Sequence, residues 1–154
     1  MVNNPIQPHN SSVGGLQANV MALLCYLAGS LLGFVPGIKY VAWLAPLAIF
    51  LLEKESRFVR FHAMQAFLLD AVGVILGLLV SLLLGGIWAA TAANTYASAA
   101  GALGSTAIIG LLATVVSLII LVFAVIAMTK AYKYEAYRIP IIGGIAARMV
   151  GKAK

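Results

Sequence analysis

From Phe61 to Met128 the sequence carries one formally charged side chain, Asp70. A helix at the surface of a soluble protein needs a polar face, and this stretch has none to offer. Divided at the small, uncharged segment Thr91–Ser105, it predicts two long helices, Phe61 to about Ala93 and about Leu103 to Met128. Each exceeds the roughly 20 apolar residues that cross a hydrocarbon core of about 30 Å. Over the whole chain 63% of residues are hydrophobic and 9% charged, with a mean hydropathy of +1.05. A globule of 154 residues could not cover so much apolar surface with so few charges. The composition therefore points to an integral membrane protein and away from a soluble enzyme or a disordered tail.

The rest of the chain supplies two shorter apolar segments and two polar ends. Residues 1–15 are rich in Asn, Pro and Ser and read as a flexible polar lead. They hold no Lys or Arg, so no cleavable signal peptide is expected. Leu16–Val35 is the first apolar run, and Pro36-Gly37 breaks it. Ile38–Leu52 would cover about 22 Å as a helix and should kink at Pro46. These two runs predict a short, Pro-kinked hairpin that spans the bilayer or partly re-enters it. After Lys130 the last long helix should continue as a polar stem through Tyr137 and stop before Pro140. The expectation is an all-α protein: four transmembrane helices within 16–138 and a short interfacial helix in a basic amphipathic tail, 139–154.

Orientation follows from the cations. Of ten Lys and Arg residues, Lys54, Arg57 and Arg60 precede the third segment, and Lys130, Lys133, Arg138, Arg148, Lys152 and Lys154 follow the fourth. Only Lys39 lies elsewhere. This bias places both termini in the cytoplasm of a bacterium, with the chain in its inner membrane. The net charge of +6 then faces anionic headgroups, and no nucleic-acid partner is needed to explain it. In the tail, Ile142, Ile145, Ala146, Met149 and Val150 share one arc, with Arg148, Lys152 and Lys154 placed to hold the membrane surface.

Four features are candidates for function. Gly73, Gly77, Ser81 and Gly85 recur every fourth residue and form a small-residue face for close helix packing. Asp70 is an acid near or within the membrane, where carboxylates are costly. Its neighbours His62, Gln65 and Arg60 complete a polar membrane cluster; the favoured reading of this cluster is structural, and the alternative is proton or ion handling. His62 also has the chemistry to ligate a pigment, against the simpler reading of a hydrogen-bonded helix-start histidine. Cys25 lies in an apolar run and reads as a packing residue. No nucleophile with a base, acid pair or phosphate loop stands out, so no enzymatic chemistry and no metal or other cofactor is expected, pigment or lipid apart.

Three stretches, LQANVMALLCYLAGSLLGF, FLLEKESRFVRFHAMQAF and AYKYEAYRIPIIGGIAARM, resemble a large bacterial family of small membrane proteins long labelled as a domain of unknown function. That family is related to the Tic component of about twenty kilodaltons in the chloroplast inner-envelope import machinery, a four-helix membrane protein. The chain departs from the common bacterial form in its extra Phe34–Pro46 stretch and in Gly144, where an acid is frequent. The resemblance implies fold and location; protein conduction enters from the plastid relatives by analogy of fold. These readings together suggest an accessory or structural subunit of a larger membrane complex, photosynthetic or respiratory, with other membrane-protein subunits as partners. A translocation or transport component is the alternative, and pigment or lipid binding at the interface the third.

Overall fold

The computed structural model describes residues 6–32, 35–38, 41–94 and 98–152, except the side chains of Ser30 and Lys152. Lys39 and Lys154, and the Lys152 side chain, lie outside the described part. The described elements are α1 (Ala18–Leu32), a 3₁₀ turn (Ala42–Leu44), α2 (Ala45–Leu52), α3 (Arg57–Ala93), α4 (Ala99–Tyr132) and α5 (Ile142–Lys152). Two of these, α3 and α4, are long and apolar enough to cross a membrane.

The two long helices start at serines. The Ser56 hydroxyl accepts the Val59 N–H at 3.1 Å, so α3 begins at Arg57, ahead of the apolar run. Ser98 does the same for Gly101 at 3.1 Å and starts α4 inside the segment expected as a loop. Within α4 the hydroxyls of Ser105, Thr106 and Thr114 turn back onto carbonyls four residues earlier, which satisfies them in an apolar setting. Pro46 does not kink a helix, as the sequence suggested, but stands in the first turn of α2. There its missing N–H costs nothing and its fixed φ favours initiation.

The first hairpin is shorter than four full crossings require. α1 has 15 residues and α2 eight, about 22 Å and about 12 Å of helix against a core of about 30 Å. The polar stem also differs from expectation, because α4 stops at Tyr132. Glu135 N–H bonds the Lys130 carbonyl at 2.9 Å, and Tyr134 N–H bonds that of Ala131 at 3.0 Å. Tyr134 takes a left-handed φ of 58°, completing a Schellman stop that ends the helix at Tyr132, well before Pro140.

By packing, the chain forms two units. The body comprises the chain up to Ala71 and from Val122 onward. Its core joins Ala22 and Cys25 of α1, Phe50 of α2, Val59, Ala63 and Met64 of α3, and Ala127 and Ala131 of α4. Trp43 stacks on Phe67 with centroids 5.7 Å apart. Nor is the lead free: from Ile6 it packs onto the body, with Ile6 N–H bonded to the Tyr134 carbonyl and Ala18 N–H to that of His9. The hairpin, Val72–Leu121, comprises the rest of α3 and the start of α4. Leu78, Leu82, Ile108, Leu111 and Leu118 are exposed along it, a surface that water would penalise and lipid accepts.

Candidate functional site

Two polar groupings lie in the body. The first is built on α3, where His62 and Gln65 are each fully buried. Gln65 Nε2 donates to the Tyr26 hydroxyl at 2.8 Å and to the Tyr137 carbonyl at 3.2 Å, while Oε1 accepts the Ile139 N–H at 3.2 Å. The Tyr26 hydroxyl in turn meets His62 Nδ1 at 3.0 Å. One glutamine thus ties α1, α3 and the segment before α5 together. Gly143 is required beside it: a Cβ there would stand 2.7 Å from both Gln65 Oε1 and the Arg138 backbone. The rings of Phe58, Phe61 and Tyr26 lie 4.6, 5.2 and 5.9 Å from the His62 imidazole. His62 is thus enclosed by aromatic rings, with Nδ1 turned to the Tyr26 hydroxyl, the surroundings of a core histidine.

The second grouping centres on Glu53, a residue that sequence reasoning passed over. Its buried carboxylate accepts from the Ser11 hydroxyl, the Ser12 hydroxyl (2.6 Å) and N–H (3.1 Å), and the N–H groups of Glu55 (3.0 Å) and Ser56 (2.9 Å). Burial opposes the charge, but the bonds from Ser11 and Ser12 and from the Ser56 and Glu55 backbone outweigh it and hold the carboxyl at about 2. Ser56 also meets His9 Nε2 at 2.7 Å. The lead is therefore clasped to the turn before α3. The available signal was Ser11-Ser12, two short hydroxyls able to reach a turn, but nothing in the spacing names their partner.

Asp70 stands apart from both groupings. It packs against α1 so closely that a Cβ at Gly29 would lie 2.2 Å from Oδ2, and that oxygen is buried without a hydrogen bond among the described residues. Arg60 lies over the Phe50 ring, 4.8 Å from its centroid. The polar cluster read from the sequence is thus divided: His62 and Gln65 meet through Tyr26, while Asp70 and Arg60 have other surroundings. Among the described residues no three His, Cys, Asp or Glu side chains come together as a metal site would need.

In the hairpin, a Cβ at Gly73, Gly77 or Gly85 would meet nothing within 4 Å. Ser81 bonds the Gly77 carbonyl at 2.8 Å. Gly73, Leu76 and Gly77 of α3 and Leu112, Val116 and Ile120 of α4 instead line an apolar cavity of about 370 Å³. Gly73 and Gly77 thus border an open groove, with nothing among the described residues within 4 Å of a Cβ at either. In α5 the expected arc is split: Ala146 and Val150 are buried in the body, whereas Ile145 and Met149 are exposed beside Arg148.

The sequence profile of a family described as "Magnetosome magnetite crystal formation protein family" matches residues 17–146. Two UPF0132 membrane proteins of Methanocaldococcus jannaschii are 29% and 31% identical, over 86% and 87% of this chain and 87% and 71% of their own. A UPF0132 membrane protein of Archaeoglobus fulgidus is 27% identical over 88% of this chain and 98% of its own. No solved structure matches. These relatives support a family of membrane proteins, without a link to the Tic component.

Proposed function

The chain belongs to the magnetosome magnetite crystal formation family, and from that premise we propose that it is a non-catalytic, polytopic membrane protein serving as an accessory subunit of a membrane assembly. The observation that carries this reading is how its polar chemistry is used. Gln65, Tyr26 and His62 are spent on holding the body together, and the Glu53 carboxylate on clasping the lead. Glu135 is paired with Lys130 at 2.7 Å, and Asp70 faces Gly29. Of four acids only Glu55 is left exposed, which does not make the carboxylate array that a mineral-facing surface would call for. In this proposal the chain serves its family's membrane, and the open small-residue face of α3 receives a helix of a partner subunit. The membrane is a bacterial inner membrane, both termini are cytoplasmic, and the first hairpin enters the bilayer beside α3 and α4. Purification of the native complex in mild detergent tests the reading. A co-migrating membrane protein that is lost with Gly77→Leu supports it, and migration of the native chain as a bare monomer overturns it.

One observation favours a second reading, transport or translocation. Asp70 Oδ2 is buried with no hydrogen-bond partner among the described residues, as a group on an ion path would be between transfers. That reading requires Asp70→Asn to abolish proton, ion or polypeptide flux in reconstituted vesicles. Unchanged flux removes it.

A further inference from the structure

We propose that the body holds the phosphate of one anionic phospholipid in a pocket formed by the first turns of α3, the segment before α5, and α5 itself. The pocket has a volume of about 290 Å³. Arg57 of α3 and Arg138 of the connecting segment are both among its lining residues, and both are exposed. Neither side chain has an ion pair or hydrogen bond among the described residues. Glu135, the acid nearest Arg138 in sequence, is engaged by Lys130, and Glu53 is saturated by its own donors. Two arginines on one small pocket repel one another unless an anion lies between them, and the planar guanidinium fork suits a phosphate. Arg57 is also the first residue of a 37-residue helix, whose dipole adds positive potential at that end.

The rest of the lining decides between a lipid and a soluble phosphate. Ile6, Phe58, Phe61 and Val150 give the pocket apolar lining beside the arginines, which suits the glycerol and first methylenes of a lipid. On the other side of α5, Ile141, Ile145 and Met149 are 84%, 44% and 41% exposed, an apolar stripe that water disfavours and an acyl layer accepts. Arg148, exposed on the same helix, adds a further cation for the headgroup layer. The proposal asks only that the chain be a membrane protein and stands apart from whether it serves in an assembly.

Native mass spectrometry of the full-length protein in detergent tests this, with phosphatidylglycerol and phosphatidylcholine as probes. Wild type should retain one phosphatidylglycerol about tenfold more strongly than phosphatidylcholine. Arg57→Gln with Arg138→Gln should bring the two lipids level, while Arg57→Lys with Arg138→Lys should keep a preference. Lys54→Gln with Lys133→Gln, which removes the same charge from other exposed positions, should change nothing. Equal loss in that control pair would mean diffuse attraction to the protein's net charge and would overturn the site. Displacement of the lipid by sn-glycerol 3-phosphate at matching concentration would overturn the lipid assignment in favour of a soluble phosphate ester.

Discussion

Glu53 shows how much one buried acid can determine in a chain with only four. Its carboxyl is held at about 2, below an ordinary value of 4.5, so the charged form belongs to the folded state. A lowered folded-state value gives stability that is present in full above pH 4.5 and is lost as the pH falls toward 2. A shift of that size corresponds to something on the order of 2–3 kcal/mol at neutral pH. Glu53→Gln should therefore lower the melting temperature at pH 7 and flatten the acid limb of wild type, as measured by circular dichroism in detergent; an unchanged acid limb would place that transition on another group. Gly29 and Asp70 make a second, coupled pair. Gly29→Ala pushes a methyl into the carboxylate and should cost about 1–3 kcal/mol by overpacking. Asp70→Ala in the same chain should recover most of that, since it removes both the clash and a buried unpartnered oxygen. Failure of the double variant to recover would show that the strain lies in the backbone of α1.

Two elements carry backbone conformations that their side chains disfavour. Tyr134 ends α4 at φ 58°, and its ring stacks on Phe58 with centroids 5.8 Å apart, a contact that glycine could not make. Ile141 precedes α5 at φ 66° although it is β-branched and 84% exposed, so little packing among the described residues repays it. Ile141→Gly should relieve about 1 kcal/mol of strain and leave the fold in detergent as stable or more so, while binding to anionic nanodiscs weakens because the exposed stripe has lost a residue. Reduced thermal stability in detergent would mean that Ile141 is held by a contact within the fold. The hairpin invites the opposite kind of change. With nothing within 4 Å of a Cβ at Gly77, Gly77→Leu should leave helical content and expression intact and remove only what docks there. Loss of helicity in the isolated protein would show that the groove closes on itself.

At the scale of the molecule, length decides what crosses the bilayer. α3 and α4, of 37 and 34 residues, have helix to spare, while α1 and α2 fall short of the hydrocarbon core. Cysteine-accessibility reporters at Asn94 and at the C-terminus should therefore report opposite sides, and one at Gly37 should report the C-terminal side if the first hairpin re-enters. A Gly37 reporter on the Asn94 side would establish four full crossings. The membrane class and the two long helices were legible in the amino-acid order alone, because transfer out of water depends on summed side-chain apolarity and not on which residues meet. Gly143 was legible only as a glycine after Pro-Ile-Ile; that it admits α5 to Gln65 depends on two segments more than seventy residues apart in the chain. The same holds for the clasp of Ser11 and Ser12 on Glu53 and for the division of Asp70 from His62. A polar side chain will take any geometrically suitable partner, and geometry of that kind exists only once the backbone has brought distant segments together. Hydrophobicity is additive along a sequence and so determined the solvent in which this protein folds; hydrogen bonds are directional and pairwise, so only the tertiary structure decided which of its few polar groups are spent on the fold.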